Sequence, residues 1–127
     1  MLADKLGFPA LWLRDVPFRD PVFGDVGQIY DPMVYASWLA AATKRIAIGT
    51  AGIVLPLRDP LAVAKQATSI DQLSAGRFIL GLSTGDRPTE YPAFGMEFEN
   101  RAARFRDAVG VIKAVTQQRF PAHRSEF

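Results

Sequence analysis

The chain has 127 residues, 49% hydrophobic and 22% charged, the composition of a globular domain and not of a disordered or collagen-like chain. It holds no cysteine and one histidine, His123 in a polar tail, which excludes disulfides, thiolate chemistry and a histidine-based metal cluster; no metal site is expected. The net charge of +2 arises from Arg and Lys scattered among Asp and Glu, not from the clustered basic stripe that nucleic acid requires. No apolar run approaches the ~20 residues of a membrane helix, and the opening stretch, with Asp4, has no long apolar core of the kind a signal peptide needs. The expected compartment is the cytoplasm, with neither nucleic acid nor membrane as partner.

Taken in chain order, Ala10-Leu11-Trp12-Leu13 is a short apolar run that predicts a buried strand. Residues 16–31 carry prolines and glycines and predict a long loop. Asp31-Pro32 is a helix start, because Asp caps free backbone N–H groups and Pro at the first helical position loses nothing by lacking its own. The helix that follows places Val34, Trp38, Leu39 and Ala42 on one face, with Lys44 and Arg45 favouring its C-terminal end. Ile46 to Leu55 is apolar almost throughout, as in a parallel strand covered on both faces; Gly49 and Gly52 within it predict a bulge or a close backbone approach. Asp59-Pro60 repeats the helix-start signal, and Leu61, Ala64, Ala67, Ile70 and Leu73 mark the buried face of a helix that ends at Gly76, a left-handed cap position. Arg77 to Leu82 is a third strand, leading into Ser83-Thr84-Gly85-Asp86. A last helix has Phe98, Ala102, Phe105, Val109, Ile112 and Val115 at spacings of three or four, and the tail after Gln118 turns polar, with Pro121.

Strand and helix thus alternate, which predicts an α/β fold of right-handed βαβ units on a parallel sheet. An open three-stranded sheet has two long unpaired edges, which soluble proteins avoid. A missing portion, or a second copy in a homo-oligomer, is expected to cover them.

The run from Gly49 to Gly85 resembles the luciferase-like monooxygenase family, which includes bacterial luciferase, alkanesulfonate monooxygenases and reductases that use the deazaflavin F420. The resemblance rests on Gly49-Thr50, Leu55-Pro56, Asp59-Pro60, Asp71-Gln72-Leu73-Ser74, Gly76-Arg77, the stretch from Gly81 to Gly85, Ala93-Phe94-Gly95 and the helix from Arg101 to Arg106. The opening LWLRDVPFRDP, with GDVG, resembles uncharacterised oxidoreductases of the same class. It implies a partial TIM (β/α)8 barrel: residues 1–127 as a single segment of about three βα units, incomplete at both ends, since a whole barrel takes roughly 250 residues. The implied activity is that of a flavin-dependent monooxygenase using reduced FMN and O2 on a small organic substrate. F420-dependent hydride transfer is the alternative within the enzyme class. An inactive truncated chain persisting as an oligomer and, less favoured, an independent small α/β binding module are the others.

The resemblance also implies site residues. Thr50, Ala51 and Gly52 end the second strand, where the family often carries a non-prolyl cis peptide behind the flavin ring; carried over, the bond is Ala51–Gly52. Ser83, Thr84 and Gly85 follow the third strand, where hydroxyls and free backbone suit the flavin or its phosphate; Ser83 stands where bacterial luciferase has a thiol. Asp15 matches a catalytic acid, although Val16 replaces the histidine that accompanies it in relatives. Other prominent residues read as structural. Asp59 is a helix cap, Arg77 lies at the stability end of a strand, Trp12, Trp38 and Phe105 are core, and Arg101, Arg104 and Arg106 form a solvated helix face.

Overall fold

A computed structural model describes residues 1–20, 22–24, 30–119 and 122–127. Asp25, Val26 and Gly27 of the long loop, and Pro121 of the tail, lie outside them. The chain forms two compact units, Met1–Ile53 with Gln66–Leu82, and Val54–Lys65 with Ser83–Phe127.

The first unit contains the parallel sheet. After a short helix α1 (Leu2–Lys5), strand β1 (Ala10–Leu13) pairs in parallel with β2 (Ala47–Thr50), and β2 with β4 (Phe78–Ile79), in the order β1-β2-β4. Between β1 and β2 runs helix α2 (Pro32–Ala42), so the connection is the helical crossover that parallel strands require. The Asp31 carboxylate accepts the N–H groups of Met33 (2.9 Å) and Val34 (3.1 Å), and Pro32 opens the helix, as the Asp-Pro pair predicts. Asp59 does the same for helix α3 (Pro60–Leu73), accepting Ala62 N–H at 2.9 Å. Gly76 adopts the expected left-handed φ of 78°.

Both strands are broken, the first at Gly52, where a bulge or close backbone approach is expected, the second at Gly81, where none is. The apolar run from Ile46 to Leu55 is β2, then β3 (Ile53–Val54), then a 3-10 turn Leu55–Leu57. The run from Arg77 to Leu82 gives β4 and a separate β5 (Leu82–Ser83), and β3 pairs with β5 in a two-stranded sheet. Both breaks fall where Thr50 and Gly81 bind each other, as described below.

Burial also corrects several readings. Helix α2 buries Met33, Ala36, Leu39 and Ala40, while Val34 and Trp38 are 68% and 56% exposed. An eleven-residue helix that is apolar on every side carries no phase by which sequence could tell its inner face. Trp12 is exposed too; it shares with Gly49 and Ile79 the sheet face opposite Ile48, where its ring lies over buried Gly49. In α3 the buried residues are Val63, Ala64, Ala67 and Ile70; Leu61 and Leu73, at the first and last turns, are exposed.

At the N-terminal ends of the strands two side chains tie the first unit together. Arg77 donates to the carbonyls of Ser74 (2.7 Å), Ile46 (2.8 Å), Ala40 (3.0 Å) and Thr43 (3.2 Å), and to the Thr43 hydroxyl (2.9 Å). A planar fork of fixed donors suits the last carbonyls of two helices, which have no partner inside their own helix. The structural role expected of Arg77 is therefore realised. On α1, the Asp4 carboxylate accepts the N–H groups of Ile46 (2.8 Å), Arg45 (3.0 Å) and Lys44 (3.2 Å).

The second unit is built on helix α5 (Arg101–Gln117), preceded by a short helix α4 (Glu90–Ala93) and a 3-10 turn Phe98–Asn100. Helix α5 packs on the Leu55–Leu57 turn and buries Ala108, Val111 and Ile112. This line is rotated from the predicted one, since Ala102 is exposed and Phe105 only half-buried. Of the three arginines read as solvated, Arg106 is exposed, whereas the Arg101 guanidinium lies 3.7 Å from the Phe98 ring centre and Arg104 is 4.9 Å from that of Phe127. Among the described residues, no helix is long and apolar enough to cross a membrane.

The three N–H groups on Asp4, that of Ile46 foremost, hold its pKa at about 2 against an ordinary 3.8. The native state thus binds this proton less readily than the unfolded chain. The stabilisation is complete above 3.8 and is lost as pH falls through 2. Urea midpoints for the wild type and Asp4→Asn are expected to differ at pH 7 and to converge by about pH 2. A gap independent of pH contradicts this role.

Candidate functional site

Where β2 ends, the chain makes an unusually close backbone contact. The Thr50 hydroxyl donates to the Gly81 carbonyl and accepts the Gly81 N–H, both at 2.9 Å. A Cβ on Gly81 would stand 2.0 Å from the Thr50 carbonyl oxygen, so no other residue fits without moving the backbone. A Cβ on Gly52 would meet the Leu82 and Gly81 backbones at 2.9 to 3.0 Å. The Ala51 N–H donates to Leu13 (2.7 Å) and the Ile53 N–H to Gly81 (2.8 Å). The Ala51–Gly52 peptide is cis, at the position the resemblance implies.

The result is a small plateau at the C-terminal end of the parallel strands. Thr50 is 1% exposed, so its hydroxyl holds the backbone and faces no solvent. Ala51 is exposed and Gly52 half-buried, and together they present peptide planes and one methyl group. Such a surface suits a flat ring laid on it, because Ala51 and Gly52 themselves add no more than a methyl group to the backbone. Asp15, half-buried, comes two residues after Leu13, the register partner of Thr50, so it lies at the same end of the sheet.

The second unit contains Ser83, Thr84 and Gly85, all half-buried. Gly85 has φ of 75°, and a Cβ there would stand 2.6 Å from Val54 Cγ1 and 3.0 Å from the Tyr91 hydroxyl. Tyr91 is fully buried, packs edge-on against Phe98 at 5.2 Å and donates its hydroxyl to the Thr84 carbonyl. Burial pushes the Tyr91 pKa up, which keeps the phenol protonated and a donor. The turn is thus fixed from beneath by a residue that the sequence reading did not single out.

Gly81 was likewise noticed only as one end of a motif. Its need for a bare Cα follows from an approach to Thr50 across 31 positions, which no local pattern contains. Trp12 is a further addition: its ring covers Gly49, where a Cβ would lie 2.3 Å from it. Large and small residues in register therefore complement each other on the exposed sheet face.

Parallel strands joined by helices, in the order β1-β2-β4, are the repeating unit of α/β-barrel folds. Comparison with known proteins makes the family definite. The chain belongs to the luciferase-like monooxygenases, whose family profile matches residues 1–127. It is 34% identical over 112 residues to the alkanal monooxygenase alpha chain of Photorhabdus luminescens, covering 88% of this chain and 30% of that one. Its fold is similar to the oxygenating constituent of 3,6-diketocamphane monooxygenase from Pseudomonas putida, solved with FMN (TM-score 0.87, 19% identity, 98% of this chain and 34% of that one). It is also similar to an F420-dependent secondary alcohol dehydrogenase solved with an F420-acetone adduct (TM-score 0.81, 22% identity, 98% and 38%). The chain spans about a third of the length of these relatives.

The Gly81→Ala substitution is expected to destabilise the first unit by about 3 kcal/mol or more, because the added methyl meets backbone and not a movable side chain. Thr50→Val, which leaves the Gly81 N–H without its acceptor, should cost about 1–3 kcal/mol. Equilibrium unfolding measures both; a Gly81→Ala variant as stable as wild type contradicts the close approach.

Proposed function

We propose that this chain is part of a flavin-dependent monooxygenase that uses reduced FMN and O2 on a small organic substrate. The observation that carries the reading is the cis Ala51–Gly52 peptide at the strand ends, held beside the Thr50–Gly81 contact, with Ala51 exposed. When bound, FMN supplies the redox chemistry; the protein positions the ring and controls water. Ala51 and Gly52 would support one face of the ring, with Thr50 acting through its grip on Gly81. Ser83, Thr84 and Gly85 would offer hydroxyl and backbone groups to the cofactor. Asp15 would hold or accept a proton at its carboxylate, near the reacting centre and without the histidine that accompanies it in relatives.

Family membership supports the oxidoreductase class, and a fold neighbour holds FMN. Another neighbour holds F420, so hydride transfer through that deazaflavin is the second reading.

Titration with FMN and with F420, followed by cofactor fluorescence, tests both. Saturable quenching of FMN is expected, weakened at least about tenfold by Ala51→Arg, whose side chain would stand on the plateau while its exposed position leaves folding intact. Saturation by F420 alone selects the second reading. No binding from a folded sample, or FMN binding indifferent to Ala51→Arg, contradicts the assignment.

A further inference from the structure

In the second unit, packing holds the Tyr91 hydroxyl in one place. The side chain is fully buried with Val54 and Leu57, and Met96 and Phe98 pack against that cluster. The Tyr91 carbonyl accepts the N–H groups of Phe94 and Met96, both at 3.0 Å, so its backbone is tied down as well. A buried phenol either finds a hydrogen-bond partner or costs free energy. Its partner here is the Thr84 carbonyl, seven positions back. Burial raises the Tyr91 pKa, so the hydroxyl keeps its proton and stays a donor.

That bond sets the direction of a second group. The Thr84–Gly85 peptide is trans, and a trans peptide is planar, with its C=O and N–H pointing opposite ways. With the Thr84 carbonyl drawn toward Tyr91, the Gly85 N–H points away from the buried cluster. Among the described residues none accepts it. Gly85 has φ of 75°, and a Cβ there would meet Val54 and the Tyr91 hydroxyl, so the turn rests directly on both. A half-buried backbone N–H that its own chain leaves over is open to water or a ligand. A hydrogen bond to the carbonyl of a peptide also polarises that peptide, which makes its N–H a stronger donor.

We infer that Tyr91 is a positioning residue for the cofactor: through the Thr84–Gly85 peptide it aims the Gly85 N–H at an oxygen of bound FMN. The inference rests on the flavin reading above. Tyr91 itself touches no cofactor atom in this role. Its ring belongs to the core, and its hydroxyl is the part that acts on the turn, so the two contributions are separable by substitution.

Fluorescence titration of the whole chain with FMN, alongside proton–nitrogen NMR spectra, tests this. In the wild type the Gly85 amide proton is expected to move downfield at saturation, as it gains an acceptor. Tyr91→Phe, which keeps the ring, should raise the FMN dissociation constant about five- to tenfold, with an unchanged far-UV circular dichroism spectrum and no downfield movement at Gly85. Phe98→Leu, which loosens the packing around Tyr91 but keeps its hydroxyl, should lower the urea midpoint and leave FMN affinity unchanged. A wild type that binds FMN without moving the Gly85 amide overturns the inference, whether or not Tyr91→Phe folds. So does a folded Tyr91→Phe that binds FMN as tightly as the wild type, or an equal loss of affinity in the two variants. A wild type that binds no FMN sinks the flavin reading itself, and the role of Tyr91 falls with it.

Discussion

One hydroxyl sets the geometry on which the proposed site depends. Thr50 both gives a hydrogen bond to the Gly81 peptide and takes one from it, at a distance between the two backbones that only glycine allows. A regular parallel ladder has no place for such a contact, because ladder bonds run between backbone groups alone. The strands therefore stop on either side of it, β2 at Thr50 and β4 at Ile79, and resume as β3 and β5. What the interruption leaves is the bare Ala51–Gly52 surface at the strand ends.

The opposite end of the sheet is organised for stability instead. Arg77 gathers carbonyls from the ends of two helices and from Ile46, and Asp4 takes three successive N–H groups at the entrance to β2. Neither side chain has bonding capacity directed at a ligand; both satisfy backbone groups that helix ends and strand entrances leave over. Position in the fold thus separates two kinds of residue: charged ones that bond backbone at one end, and small ones that uncover backbone at the other.

The sequence was informative where structure is decided locally. Asp31-Pro32 and Asp59-Pro60 mark helix starts because cap and donor lie within three residues of each other, and Gly76 marks a helix end through its own φ. Family resemblance, carried by motifs between Gly49 and Gly85, anticipated the cis Ala51–Gly52 peptide. What escaped the reading was set by distant partners. The break at Gly81 depends on a contact across 31 positions, and the support of the Thr84 turn depends on the burial of Tyr91. Which side of α2 faces inward was misread because an all-apolar helix has no polar side to orient it, so Trp38 and Val34 were assigned to the core although they lie outside it. Trp12 was misassigned for a related reason: a strand apolar at all four positions does not say which of its faces is covered.

The central claim is that the Ala51–Gly52 surface receives a flavin ring. Amide chemical-shift mapping of isotope-labelled chain during addition of FMN tests it at the residues themselves. The largest saturable changes are expected on the amides of Ala51 and Gly52, where a stacked ring current acts. Saturable changes confined to other parts of the chain, with Ala51 and Gly52 unmoved, would contradict it.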